Sequence, residues 1–281
     1  MMNAKTILLE SLDERWRKFR LELKVCREEF SEESVHDLRV AARRLLAFLD
    51  LLSSIIRKKY LRKVRRTLKD LLDDLDDLRD IQVMLADISE FIREVPEMKT
   101  LQTQLLKEEK KLLRLTKKLL KSYDEKSLKK RMGKVRGMIH NQPEEALPTQ
   151  VIASVDDAFS KVTQAYSLVD VENIPGIHTL RIAFKRFRYS VEIAHPLLAD
   201  FPPVNFERMH DYQKHMGDIQ DMEVARQKLT ELKPASLPGL ETVSVHYASR
   251  LRTAVLTFLE DKGEVLVFWR SSPDQSFPWE K

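Results

Sequence analysis

The sequence predicts an all-α protein assembled from two related helical halves, and three observations carry that expectation. Only six glycines occur in 281 residues, too few for the turns of a sheet protein or for a glycine-rich phosphate loop. Charged residues make up 33% of the chain and leucine leads the apolar ones, the make-up of long amphipathic helices. Third, one stretch is written twice: Val35-His36-Asp37-Leu38-Arg39-Val40-Ala41-Ala42-Arg43-Arg44-Leu45 returns as Ile177-His178-Thr179-Leu180-Arg181-Ile182-Ala183-Phe184-Lys185-Arg186-Phe187. On a helix turning about 100° per residue, Arg39 and Arg43 fall within about 60° of His36, and Arg181 and Lys185 repeat this around His178. Arg44 and Arg186 flank the same side. The opposite face carries Leu38, Ala42, Leu45, Leu49 and Leu52, matched by Leu180, Phe184, Phe187, Val191 and Ala194. Each helix therefore has an apolar back for a core and a cationic front headed by histidine.

The elements follow in order. Residues 4–30 read as one helix, with Ile7, Leu8, Leu12, Trp16, Phe19, Leu23 and Phe30 near helical spacing and Cys26 among them. As the only cysteine, Cys26 excludes an internal disulfide and a cysteine-based zinc site, and reads as a buried structural thiol. Ser34, with Asp37 three residues on, has the spacing of a capping box, so the second helix is expected to start there and run to about residue 58. A third helix spans about 60–94 and stops at Pro96, a fourth about 99–122, and a further piece about 126–140. Pro143 and Pro148 mark a connector. A helix over 151–169 follows, then the His178 helix set up by Pro175-Gly176 and closed by Pro196 and Pro202-Pro203. Helices over about 205–232 and 240–261 complete the set, and the tail with Phe268, Trp269, Phe277 and Trp279 is expected to be extended and packed back onto the bundle.

The repetition reaches beyond the first motif. Asp77-Leu78-Arg79-Asp80-Ile81-Gln82-Val83 aligns with Asp218-Ile219-Gln220-Asp221-Met222-Glu223-Val224 at nearly the offset that separates His36 from His178. Two collinear matches indicate an internal duplication, with about four helices in each half and halves over 1–145 and 146–281 that form one integrated unit.

The charge pattern narrows the chemistry. A net charge of +5 and a pI near 9.1 are modest, so local clustering carries the signal. With His36 and His178 expected in the first helical turn, the free N–H groups of a helix start and the basic residues behind them would form a row of donors, each about 5.4 Å beyond the last. A row suits a linear polyanion better than a small phosphate ester. Lys58, Arg62, Arg65 and Arg66 crowd the junction of the second and third helices, and Arg188 and Tyr189 extend the second motif. The lysine-rich stretch 107–136 reads as a solvated face. Like charges at helical spacing repel, so a cationic face that is duplicated suggests a partner. Asp80 and Asp221 read as partly buried acids pairing with basic residues across helices.

Other chemistry finds little support. The seven histidines form no zinc-type pair, and the repeated ones sit among cations, so no metal and no cofactor is expected. No phosphate loop, paired acids beside the cations or nucleophile with an evident base suggests hydrolysis. A histidine phosphocarrier would have small residues around its histidine, whereas Phe184 and Phe187 follow His178. No apolar run approaches the roughly 18–20 residues needed to span a bilayer, and the N-terminus lacks a signal-peptide core. The expectation is a soluble, cytoplasmic binder without catalysis.

His36-x-x-Arg39-x-x-x-Arg43-Arg44 followed by Leu78-Arg79-Asp80-x-x-Val83, with their second-half counterparts, resembles the conserved-histidine α-helical domains, the CHAD family. The nearest single match is the run from His178 to Tyr189, and the likeness covers nearly the whole chain. Arg44-Leu45 departs from the Arg-Tyr ending seen at Arg188-Tyr189, and Gln220 stands where the first half has Arg79. The resemblance implies two four-helix halves related by pseudo-twofold symmetry around a basic central groove that binds inorganic polyphosphate, with association with polyphosphate granules. Phosphate or sulfate would fit the same place. Many such domains are fused to a triphosphate-tunnel domain with a Glu-x-Glu-x-Lys motif, which this sequence lacks. The site residues so implied are His36, Arg39, Arg43, Arg44, Lys58, Arg62, Arg65, Arg66, His178, Arg181, Lys185, Arg186, Arg188 and Tyr189. A nucleic-acid-binding module is the alternative, followed by a phosphohydrolase or histidine phosphocarrier.

Overall fold

In the computed structural model, which describes residues 3–56, 59–171, 173–231 and 239–280, the described residues form α-helices, short 3-10 turns and connections, with no strand. The helices are α1 (Ala4–Glu28), α2 (Glu32–Ile55), α3 (Lys59–Phe91), α4 (Met98–Ser122), α5 (Glu125–His140), α6 (Leu147–Tyr166), α7 (Ile174–Ala194), α8 (Val204–Glu231) and α9 (Leu240–Asp261). The fold class is thus the all-α one that glycine scarcity and helical periodicity predict.

Several helix starts lie one turn earlier than expected. Helix α2 is capped by Ser31, not Ser34: Ser34 N–H donates to Ser31 Oγ at 3.1 Å while Ser31 N–H donates to Ser34 Oγ at 2.9 Å, a capping box read in the wrong frame from the sequence. Asn173 caps α7 by accepting from Gly176 N–H. Pro148 sits inside the first turn of α6, where its missing N–H has no helical partner to lose. His36 and His178 consequently both occupy the fifth helical position, beyond the free N–H groups, so the expected helix-terminus anion site does not include them. The tail is a 3-10 helix over Lys262–Val267 rather than extended chain, and it leads into Phe268 and Trp269, both buried.

Packing follows the apolar faces. Helix α1 lies on α2, α2 on α3 and α3 on α4; the scheme recurs as α6 on α7, α7 on α8 and α8 on α9. The two series meet where α2 touches α6 and α7 and where α3 touches α8. Helix α5 covers α1 and α3. Leu38, Ala42, Leu45, Leu49 and Leu52 of α2, and Leu180, Phe184, Phe187, Val191 and Ala194 of α7, are all fully buried. A second, smaller core joins Ile81, Met84 and Ile88 of α3 to Ala225, Leu229 and Tyr247 of α8 and α9, so apolar contact ties the two series together at a second place. Cys26 is buried at the α1 core, and burial raises its thiol pKa, which keeps it protonated and inert.

Candidate functional site

Because both apolar backs turn into one core, the cationic fronts of α2 and α7 are brought side by side. Lys185 lies under the influence of Arg43 and Arg39 from α2 and of Arg181 and Arg188 from its own helix. Burial, then these four guanidinium groups, drive its amine from the usual lysine range down to about 7. Arg43 feels the same crowding: burial and then Arg39 and Arg181 lower it to about 10, with Tyr189 and Asp76 acting in the opposite sense. Arg181 is half-buried and its Nε–H is enclosed without an acceptor, a donor that an anion could satisfy.

The acids answer only part of this charge. Arg39, 3% exposed, donates from Nη1 to the Leu72 carbonyl at 3.1 Å and from Nη2 to Asp76, so it is tied into the α2–α3 contact. Arg43 approaches the same Asp76 carboxylate at 4.0 Å. One turn along α3, Asp80 is raised by burial and then by Asp76, while Lys228 and Arg39 favour its charge. Across the α3–α8 contact, Asp221 keeps solvent contact yet is raised by desolvation, with Arg181 the first group opposing that and Asp80 adding to it. Acids from α3 and α8 therefore stand beside the cations, and of these only Asp76 was not singled out from the sequence. Asp80 and Asp221 face basic groups on other helices, as expected of them.

Other residues singled out from the sequence are placed as follows. Arg188, 7% exposed, donates from Nη1 to His210 Nδ1 at 3.2 Å, approaches Glu192 at 3.6 Å and covers the Tyr189 ring at 5.2 Å. Tyr189 is only 8% exposed. Arg44 is exposed and 4.0 Å from Glu192, beside Arg15 of α1. Arg65 donates to Asp50, whose carboxyl is raised by burial against the opposing charges of Arg65 and Arg186. Arg62 and Arg66 are exposed on the first turns of α3, and Lys58 lies outside the described residues. The lysines of α4 and α5, including Lys107, Lys110, Lys117 and Lys130, are exposed, as expected of a solvated face.

The two histidines are exposed, and their surroundings differ. His178 Nδ1 hydrogen-bonds with Gln220 Oε1. In the first series Arg79 occupies the corresponding place; after burial it is the main influence lowering the pKa of His36, and it pairs with Glu32 at 3.2 Å. His178 also lines a cleft of about 450 Å3 with Thr179 and Gln220. A mixed-charge cleft of about 400 Å3 lies between α3, α8 and α9, lined by Asp87, Lys214, Asp218, Asp221, Tyr247 and Arg250. A larger one, of about 790 Å3, lies between α6 and the tail and is lined by Asp156 and Arg270. None of these three is lined by Arg43, Arg181 or Lys185. The cations lie between α2 and α7, and what unites them is charge density rather than an enclosed volume. Among the described residues, no three His, Cys, Asp or Glu side chains come together as metal ligands would, and no helix is long and apolar enough to cross a membrane.

The CHAD domain profile matches residues 10–230. A crystal structure of the CHAD domain from the plant Ricinus communis is similar, with a TM-score of 0.65 at 17% identity over 92% of this chain and 86% of that one. PptA from Streptomyces chartreusis is similar too, with a TM-score of 0.72 at 14% identity over 91% of this chain and 98% of that one. Identities this low speak to the fold alone. Comparison with curated proteins gives no match.

Proposed function

The chain belongs to the CHAD domain family, and on that premise we propose that it binds inorganic polyphosphate, without catalysis, along a basic groove where α2 meets α7. The observation that carries the reading is the convergence of Arg43, Arg181 and Lys185, with Arg39 and Arg188 behind them, in a space where burial and then the neighbouring guanidiniums drive an amine down to about 7. Such an arrangement is unfavourable in the free protein. A linear polyanion relieves it, because each phosphate answers a cation and supplies acceptors for donors such as Arg181 Nε. We read the recurring helix scheme as an internal duplication, with halves over 1–145 and 146–281 that cooperate in a single binding surface. Association with polyphosphate granules is the cellular setting this reading suggests.

Nucleic acid is the rival ligand, and one observation counts against it. Stacking of bases needs exposed aromatic faces, whereas Phe184, Phe187 and Tyr189 of the motif are all buried, Tyr189 under Arg188. The test is a titration with polyphosphate of graded length, at several salt concentrations, with RNA as competitor. If four to five phosphates are neutralised, affinity should fall by about 100-fold between 50 and 200 mM salt. Arg43→Gln, Arg181→Gln and Lys185→Gln combined should remove most of the binding while leaving the helical circular dichroism intact. Unchanged affinity in that triple variant refutes the assignment of this face. Incubation with magnesium should leave the polyphosphate length unaltered, and shortening would refute the non-catalytic part of the reading.

A further inference from the structure

A second group of cations draws on α1, which carries none of the repeated motif. Glu14, Arg15 and Lys18 of α1, Ala41 and Arg44 of α2 and Glu192 of α7 line a cleft of about 90 Å3. That is the share of liquid taken by about three water molecules, enough for one tetrahedral oxyanion and too little for a whole nucleotide. Arg15 gives the cleft its character. It is half-buried, and among the described residues it donates only from Nη1, to the Ser11 carbonyl at 3.3 Å and to the Ser11 hydroxyl. No carboxylate of the described residues forms an ion pair with it, and burial disfavours its charge. Its Nε and Nη2 donors are thus left for another acceptor. The acids of the cleft do not cancel its cations. Glu192, 4.0 Å from Arg44, is shared with Arg188, which stands 3.6 Å from it and outside the cleft. Glu14 is exposed to water, which screens it. Lys18, also exposed, contacts Glu22 of its own helix at 2.5 Å and has further N–H donors on a movable stem.

We infer that this cleft is a receptor for a single phosphate group, gripped by the guanidiniums of Arg15 and Arg44 and closed over by the Lys18 ammonium. A planar guanidinium meets two oxygens of a tetrahedral anion at once, and an ammonium adds a point charge that follows the anion as it seats. The phosphate has two chemically equivalent sources: free orthophosphate, or the terminal phosphate of a longer chain. Arg44 directly follows Arg43 of the proposed polyphosphate groove, so the chain-end source rests on that reading. The orthophosphate source stands without it.

The full-length protein is titrated with orthophosphate by calorimetry at constant low ionic strength, with chloride as the balancing anion. Arg15→Gln should weaken binding by about tenfold or more. Lys18→Gln should weaken it by about threefold, and Glu14→Gln should tighten it by about two- to threefold. Both of these positions are exposed, and circular dichroism should show every variant folded. The opposite signs of the two exposed variants separate a phosphate contact from a change in the packing of α1, which would shift both the same way. The second arm compares polyphosphate with free ends and polyphosphate whose terminal phosphates are capped as amides. Capping should weaken binding to the wild type and make no difference to Arg15→Gln. Success in either arm establishes the site and names its source. Orthophosphate binding that is absent, or indifferent to Arg15→Gln and Glu14→Gln, overturns the inference when capped and free chains also bind alike. If polyphosphate does not bind at all, the proposed function fails, and the orthophosphate arm alone decides this site.

Discussion

Replacing Lys185 with methionine keeps most of the apolar stem and deletes the amine, and the response of the free protein to pH should report how strongly burial and the neighbouring arginines oppose a charge there. In the unfolded chain a lysine titrates near 10.5, whereas here burial and the four arginines hold it at about 7. Between those two values the unfolded chain carries a proton that the folded one lacks, so stability rises with pH across the window. Below about pH 7 both states are protonated, and the folded protein bears the whole repulsion. Each pKa unit is worth about 1.4 kcal/mol and the amine keeps some contact with water, so Lys185→Met should stabilise the protein at pH 6 by on the order of 2–4 kcal/mol. That is a large part of the ~5–15 kcal/mol typical of a folded domain. Urea unfolding of both proteins at pH 6, 7, 8 and 9 measures it, and the gap should narrow steadily toward pH 9. The same linkage makes polyphosphate binding take up a proton, so wild-type affinity should strengthen from pH 8.5 to 6 and that of the variant should respond less. A variant no more stable than wild type at pH 6, or a gap that ignores pH, would refute the buried, crowded setting of the amine on which the site rests.

Arg39→Ala should lower stability by about 1–2 kcal/mol, because it removes the buried guanidinium's hydrogen bonds to the Leu72 carbonyl and to Asp76, whose carboxylate stays in contact with water; thermal or urea unfolding reads this directly. Asp221→Asn removes a negative charge facing Arg181 and should tighten polyphosphate binding about two- to fivefold at low salt, an effect that fades as salt is raised. Asp156→Ala should destabilise by about 3 kcal/mol and loosen the tail, since Asp156 accepts from Trp269 Nε1 at 2.8 Å and from Arg270 Nη2 at 2.7 Å; near-ultraviolet circular dichroism of the tryptophans should change with it, while polyphosphate affinity should not.

How far the fold could be read in advance depended on the range of the forces involved. Helical spacing identified the buried faces of α2 and α7 residue by residue, from Leu38 to Leu52 and from Leu180 to Ala194, because an apolar stripe must find a core whatever that core is. Cap positions were harder. Ser31 and Ser34 both suit an N-cap, and the choice depends on where α1 ends and how the chain turns. The site was legible only in part. That Arg39, Arg43, Arg181 and Lys185 share two cationic faces could be counted from the spacing. That Asp76 ties up Arg39, or that His210 takes Arg188, could not, because these partners lie on other helices and are reached only through the packing.

The sequence by itself determined that this chain is helical, that its motif is written twice, and that each copy sorts apolar residues to one side and cations to the other. Periodicity is a local property, and it survives whatever the helices later pack against. Tertiary structure decided that α2 and α7 touch, and so which cations face one another, which are neutralised by acids and which amine loses its proton. Those outcomes depend on distance and on exclusion of water, and both are defined only once helices far apart in the chain have met.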